Sequence, residues 1–181
     1  GFDPIFGRGY YEDIDLGRRI YEHNWHIGVH PDSLIYHKGG GSFGRGLAYR
    51  KLKRRNRALY FSRYPSAQRN VLFLSGDCSL TDFTPTLLNS IEYVFQRGGI
   101  VHWLSTEPAT KIPCLHMKNS SANLLLILKL MMFYGWLRKD KRISDVWLLL
   151  PSNSSFLRKL LALLSKVRGI KILTWKSNFV K

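Results

Sequence analysis

The C-terminal part of the chain alternates short apolar runs with stretches of helical periodicity, and this alternation restricts the fold more than any other feature. Runs rich in β-branched and aromatic residues, typical of strands, occur at residues 71–75, 100–105, 146–150 and 170–175. Helical patterns separate them at residues 85–96, 122–137 and 155–167. Gly98-Gly99 and Gly169 follow two of these helices, where a left-handed cap is needed. This order predicts an α/β fold with a parallel sheet and right-handed crossovers.

The chain is expected to divide near Tyr64-Pro65-Ser66, because proline and serine there end a basic helical pattern and precede the first apolar run. This boundary predicts two domains, residues 1–65 and residues 66–181. A chain of 181 residues with 45% hydrophobic residues can bury a core without disulfide bonds. Its two cysteines, Cys78 and Cys114, lack the spacing of a zinc site, so a disulfide scaffold and a structural zinc site are both excluded.

Residues 1–64 predict two helices and two short strands. A helix is expected over residues 11–24, with three acids in its first turn as the helix dipole favours. The alternation of Trp25, Ile27 and Val29 predicts a strand, and residues 34–36 predict another. After a glycine-rich loop, residues 47–64 predict a helix that turns Leu52, Leu59 and Tyr60 inward. Its basic side chains are expected largely outward: Arg50, Lys51, Lys53, Arg54, Arg55 and Arg57.

Several short motifs follow one another in this first part. They are Gly-Phe-Asp at residues 1–3, Glu-Asp-Ile-Asp-Leu at residues 12–16, the aromatic Trp25, a segment at residues 31–42 that ends in His37, Gly39, Gly40, Gly41 and Ser42, and Arg-Asn-Arg at residues 55–57. In order and spacing they resemble the C-terminal half of the catalytic domain of family 2 glycosyltransferases, which are inverting enzymes of the GT-A fold. The resemblance covers residues 1–64 and implies a partial GT-A domain there.

The resemblance also implies a reaction, the transfer of a sugar from a nucleotide-sugar donor to a hydroxyl of a saccharide or lipid-linked acceptor. Such a transfer needs a base for the acceptor proton and a cation for the leaving diphosphate. By this resemblance Asp13 is the catalytic base, Glu12 helps to orient the acceptor or the loop, and His37 ligates a divalent metal, Mn²⁺ or Mg²⁺. The residues implied in binding the donor phosphates are Gly40, Gly41, Ser42 and Arg18.

Each of these residues has a structural alternative as well. Acids in a first helical turn complement the helix dipole, and a histidine before a glycine loop is often only hydrogen-bonded to backbone. The glycine run at residues 39–42 is compatible with a simple tight turn, and Arg18 and Arg19 with ion pairs to acids one turn earlier. His23, His26, His30, His102 and His116 lie in no motif and receive no role.

The family's nucleotide-binding half, with its Asp-x-Asp metal motif, is expected to precede Gly1. The chain is therefore expected to be a fragment, inactive when supplied alone with nucleotide sugar and Mn²⁺. Residues 66–181 loosely resemble the N-terminal half of a GT-B glycosyltransferase, which implies an incomplete Rossmann-like domain. Asp77 and Asp82 follow its first predicted strand, where doubly wound folds bind ligands but where turn and capping residues also occur.

The charge leaves other functions open. With 28 Lys+Arg against 12 Asp+Glu, a formal charge of +16, the chain could serve as a nucleic-acid-binding module, although it has no helix-turn-helix, RNA-recognition or zinc-finger pattern. The other alternative is a non-catalytic module that docks on a membrane surface or partner through residues 122–137, a stretch too short to cross a bilayer. The favoured prediction is a cytoplasmic enzyme, peripheral at the inner face of the plasma membrane, in surface or cell-wall polysaccharide synthesis.

Overall fold

A computed structural model describes residues 1–7, 9–28, 30–36, 46–106, 116–134, 141–150 and 155–176. The chain forms two compact units, Gly1–Pro65 (unit 1) and Ser66–Lys181 (unit 2). This division coincides with the boundary drawn from the sequence, whereas the identities assigned to the two domains stay predictions.

Unit 1 contains two long helices. A short 3₁₀ helix, Pro4–Phe6, precedes α1, Glu12–Glu22, and α2 follows at Leu47–Arg63. Both helices were predicted to within two residues of these bounds. Tyr60 is buried and Leu52 and Leu59 are half-buried, so the predicted inner face of α2 is confirmed. The predicted basic side chains of α2 are exposed, apart from the half-buried Arg57.

The two strands predicted in unit 1 are not formed. Residues 25–28 and 34–36 have no regular secondary structure, and Val29 lies outside the described residues. Trp25 and Ile27 are 70% and 67% exposed, and Leu34, Ile35 and Tyr36 are more exposed still. A strand needs a neighbour for its backbone hydrogen bonds, and no described segment pairs with these residues. The alternation of apolar residues therefore does not produce a strand here, and both strand predictions are wrong for the described residues.

Unit 2 is a Rossmann-like α/β domain. Its elements in chain order are β1 (Asn70–Gly76), α3 (Pro85–Gln96), β2 (Ile100–Ser105), β3 (Met117–Ser121), α4 (Leu124–Leu128), β4 (Asp145–Leu150), α5 (Ser155–Arg168) and β5 (Lys171–Lys176). The five strands are all parallel, in the order β3-β2-β1-β4-β5. The predicted parallel sheet is confirmed, and Gly98 and Gly169 take the positive φ angles expected of helix caps, 75° and 65°.

Two details of unit 2 differ from the sequence prediction. Strand β3 was missed because its sequence, Met-Lys-Asn-Ser-Ser, is polar, which an edge strand tolerates. The helix predicted over residues 122–137 is an α-helix only at α4, and a π-helical turn, Lys129–Phe133, continues it. Residues 135–137 lie outside the described ranges.

The core of unit 2 lies on both faces of the sheet. Alternate residues of β1 point to opposite sides, so Val71 and Phe73 join one apolar cluster with α3, and Leu72 and Leu74 join another with α4 and α5. Both faces of the central strands are therefore dry, as a parallel sheet covered by helices requires. Within the described ranges, no helix has the length and apolar character needed to cross a membrane.

Candidate active site

Asp15 is a fully buried carboxylate in the first turn of α1. Arg19 Nε donates to its Oδ2 at 2.8 Å, and Arg63 Nη1 and the Tyr64 hydroxyl donate to its Oδ1 at 2.8 Å and 3.1 Å. Burial of a charge is costly unless it is paired and hydrogen-bonded, and these three donors satisfy both oxygens. Burial and the bond to Asp15 raise the pKa of Tyr64. Asp15 is thus a structural residue that joins α1 to the end of α2.

The Gly-Phe-Asp turn at the start of the chain is tied to the same cluster. Arg63 Nη1 lies 2.8 Å from Oδ2 of Asp3, and Arg19 Nη2 donates to the carbonyl of Gly1 at 2.7 Å. Asp3 Oδ1 also accepts from Ile5 N at 3.0 Å, which caps the 3₁₀ helix. This backbone bond and the Arg63 guanidinium hold the pKa of Asp3 below its usual range. Two motifs distant in sequence therefore meet through one arginine.

Asn56, the middle residue of the Arg-Asn-Arg motif, holds the loop that leads into α1. It is fully buried, and its Nδ2 lies 2.6 Å from the carbonyl oxygen of Phe6, 2.8 Å from that of Gly9 and 3.0 Å from that of Tyr10. A side-chain amide that donates to backbone carbonyls satisfies groups that the loop would otherwise bury unpaired. The Arg-Asn-Arg motif by itself predicted no role for Asn56. The helical spacing indicates its burial, because Asn56 lies one turn before the inward-facing Tyr60.

The loop itself has an unusual backbone. Gly7 and Gly9 have positive φ angles of 65° and 128°, and Tyr10 and Tyr11 have φ angles of 67° and 75°. A left-handed conformation costs a residue with a β-carbon on the order of 1 kcal/mol, so the surroundings must stabilise it at both tyrosines. Tyr10 packs edge-on against Tyr49 with ring centroids 5.0 Å apart. Tyr11 packs against Tyr60 with the two rings tilted and their centroids 5.3 Å apart. Helix α2 therefore holds this loop through both an amide and aromatic rings.

Asp13 and Glu12 follow this loop directly, in the first turn of α1. Asp13 is exposed, and its Oδ1 accepts from Ile14 N at 2.8 Å. No described residue forms an ion pair with Asp13, in contrast to Asp15 two positions later. Glu12 is half-buried, and its Oε2 is buried without a hydrogen-bond partner among the described residues. Of the three acids in this turn, Asp13 is the one whose side chain is exposed.

Of the remaining predicted site residues, only Arg18 lies within the described part of the chain. Arg18 is 9% exposed, its Nε donates to Glu22 Oε1 at 2.7 Å, and its guanidinium lies 5.1 Å from the ring centroid of Tyr64. Arg18 is thus paired with an acid one turn later in α1. Its predicted role with phosphate stays a prediction. His37, Gly40, Gly41 and Ser42 lie outside the described residues. Their predicted roles remain predictions.

The described residues by themselves supply no metal site. Within those ranges no group of three or more His, Cys, Asp or Glu side chains could hold a metal ion. The Mn²⁺ or Mg²⁺ that the resemblance implies would therefore need ligands from His37 or from other positions.

Unit 2 offers a different kind of site. A cavity of about 350 Å³ opens at the carboxyl edge of the sheet, where ligands bind in doubly wound folds. Leu74, Gly76, Leu104 and Asn123 are among the residues that line it. Asp77 and Asp82 do not line it, and Asp82 Oδ2 accepts from Ser79 N at 2.6 Å in a capping box. Asp82 is therefore the capping residue that the sequence offered as an alternative.

Comparisons of the chain with models of protein families, with curated proteins and with solved structures found no match. The motifs of residues 1–64 and the geometry around Asp13 are therefore the features that bear on function.

Proposed function

We propose that residues 1–65 form the acceptor side of an inverting glycosyltransferase, in which Asp13 is the general base. The observation that carries the proposal is that three acids in one helical turn differ in how far their side chains are buried. Asp15 is fully buried among donors, Glu12 is half-buried, and Asp13 is exposed. A base must be reachable by substrate yet fixed in place, and Asp13 alone in this turn has both properties.

The proposed reaction uses the free carboxylate oxygen of Asp13. The acceptor hydroxyl gives its proton to Asp13 Oδ2 as its oxygen bonds to the anomeric carbon of the donor. The bond from that carbon to the diphosphate oxygen breaks at the same time, so the configuration inverts and the nucleoside diphosphate leaves. Oδ1 accepts from Ile14 N at 2.8 Å, which orients the carboxylate. Proton transfer to a positioned base accounts for about 10²- to 10⁴-fold in rate.

The surroundings of Asp13 support this role because they fix its position before substrate arrives. Asn56 holds the preceding loop through backbone carbonyls, and Asp15 anchors the same helical turn to α2. A carboxylate held in this way reaches an attack geometry with little loss of entropy, which is a large part of catalysis between two substrates.

The test is the substitution Asp13→Asn in the complete protein. The amide cannot accept the acceptor proton, so we expect a fall of 10²-fold or more in sugar transfer, measured as nucleoside diphosphate release from a panel of nucleotide sugars. Asp32→Asn is the matched control, because Asp32 is 88% exposed in the same unit, and it should transfer sugar at the wild-type rate. Wild-type transfer by a folded Asp13→Asn protein would contradict the proposal.

We also propose that the enzyme binds peripherally to the anionic inner face of a plasma membrane. Helix α2 presents exposed basic side chains along its length: Arg50, Lys51, Lys53, Arg54 and Arg55. Basic residues near an anionic bilayer each gain on the order of 1 kcal/mol. Flotation with vesicles of phosphatidylserine and phosphatidylcholine should therefore recover the chain, and pure phosphatidylcholine vesicles should not. Equal or stronger salt-sensitive binding to duplex DNA would instead favour the nucleic-acid alternative.

A further inference from the structure

A second cavity, of about 390 Å³, lies on one face of the sheet in unit 2. Strands β2 and β3 form its floor, and α4 with the following π-helical turn forms its wall. It is separate from the cavity at the carboxyl edge of the sheet, although Leu104 borders both. π-Helical turns are rare and occur frequently at functional sites.

His102 is the unusual residue of this cavity. It occupies an inward position of β2 with 5% of its surface exposed, and its Nε2 has no hydrogen-bond partner among the described residues. Burial, with Lys118 nearby, lowers the pKa of His102 to about 4, so the ring is neutral at pH 7. A buried ring nitrogen left unpaired costs about 1–3 kcal/mol, which an apolar residue at this position would avoid. The unpartnered nitrogen thus belongs to a side chain that lines the cavity.

The polar groups around His102 favour an anion. Lys118 and Lys129 line the cavity, together with the hydroxyls of Ser120 and Tyr134, and no acidic side chain does so within the described residues. Lys118 Nζ lies 3.5 Å from the Tyr134 hydroxyl, and the Tyr134 ring packs edge-on against His102 at 4.9 Å. Two ammonium groups beside uncharged donors attract a carboxylate or phosphate group.

The rest of the lining is apolar and fits the body of an organic molecule. It consists of Leu104, Leu126, Leu130 and Phe133. Ligand sites of this size are usually lined by apolar side chains with a few convergent polar groups that set the orientation.

We propose that this cavity binds a small organic anion, with its charged group at Lys118 and Lys129, its apolar body against the leucines and Phe133, and a hydrogen bond to His102 Nε2. The site is independent of Asp13 and of the function proposed for unit 1. The charged group is a carboxylate or a phosphate ester, and both have the chemistry that the two lysines recognise.

Titration of the full chain with 2-naphthoate and with 1-naphthyl phosphate, followed through the His102 Cε1–H resonance, tests the proposal and separates the two charged groups. The resonance is assigned by its loss in His102→Asn. We expect saturable binding of at least one anion, with 2-naphthalenemethanol and inorganic phosphate each binding at least tenfold more weakly.

The matched variants are Lys118→Met and Lys159→Met, both replacing exposed lysines of unit 2. Lys118→Met should weaken binding about tenfold or more, the loss of about one charge-assisted contact, whereas Lys159→Met should bind as wild type. Lys129→Met serves the same purpose if Lys118→Met does not fold. Equal affinity for the neutral alcohol, binding unchanged in both cavity-lysine variants, or no movement of the His102 resonance would overturn the proposal.

Discussion

Units 1 and 2 are stabilised in different ways. At the centre of unit 1 lie polar groups, with Asp15 and Asn56 fully buried beside Phe6, Tyr60 and Tyr64. The centre of unit 2 consists of two apolar clusters on the faces of a parallel sheet. Apolar burial is non-directional and favours any compact arrangement, whereas buried hydrogen bonds require one particular geometry. The comparison indicates that unit 1 uses its buried polar groups to hold the shape of one loop.

The two units also differ in how much apolar surface they expose. Unit 1 leaves a run of large apolar residues exposed, among which Leu34, Ile35 and Tyr36 are 92%, 85% and 91% exposed. The apolar residues of β1, at the centre of the sheet in unit 2, are 2% exposed or less. Unit 2 therefore derives most of its stability from apolar area, and unit 1 depends more on its ion pairs and hydrogen bonds.

The largest effect is expected from an apolar truncation in unit 2. Phe73 is fully buried in β1 and packs against Phe83 and Trp103. Phe73→Ala should lower the free energy of unfolding by about 4 kcal/mol, measured by urea denaturation. Leu163→Ala, at a position that is 61% exposed on α5, should change it by no more than about 0.5 kcal/mol. Similar losses in the two variants would show that unit 2 is not stabilised by its sheet core.

The next largest effect is a pH dependence of the unfolding free energy, and it comes from His102, which is buried in unit 2. The pKa of His102 is about 4 in the folded chain and 6.5 when unperturbed, so below pH 6.5 the unfolded state binds the proton first. The folded state keeps the His102 ring neutral, and the stability associated with this is complete above pH 6.5. As the pH falls toward 4, the free energy of unfolding decreases by about 3 kcal/mol in total. Unfolding of wild type and His102→Asn, compared from pH 7 to 4, should show this extra slope in wild type. Parallel pH profiles would contradict it.

A single charge removed from unit 1 should be nearly as damaging as a lost core side chain in unit 2. Asp15→Asn leaves Arg63 and Arg19 without their buried carboxylate, at a cost of about 3 kcal/mol in unfolding free energy. Asp13→Asn, in the same helical turn but exposed, should cost no more than about 0.5 kcal/mol. Equal losses at the two positions would remove the distinction between a structural and a free carboxylate.

The smallest of these effects is expected at Asn56. Asn56→Ala removes the donor to the carbonyls of Phe6, Gly9 and Tyr10, and should lower the unfolding free energy by about 2 kcal/mol. Ser62→Ala, at an exposed position of α2, is the control and should behave as wild type. If Asn56→Ala is also neutral, the loop before Asp13 is held by its aromatic contacts rather than by this amide.

Much of unit 2 could be predicted from the sequence, and less of unit 1. Strands β1, β2, β4 and β5 are apolar runs between helices, so composition and periodicity are enough to find them. Strand β3 is polar, which its position at the sheet edge permits, and no local pattern reveals that position. In unit 1 the alternation at Trp25 and Ile27 predicted a strand that does not form, since a strand also needs a partner.

The candidate site also has features that the sequence predicts and features that only the structure shows. The motif order by itself predicted site roles for Asp13 and Glu12, which stay predictions. The spacing of charges predicted the ion pair that Arg19 forms with Asp15. Only the tertiary structure decided which acid is buried and which is free, because Arg63 and Tyr64 reach Asp15 from 48 and 49 residues away. The same holds for the unpartnered nitrogen of His102 and for Asn56. Periodicity and composition record local preference, whereas burial and hydrogen-bond partners depend on contacts between segments distant in the chain.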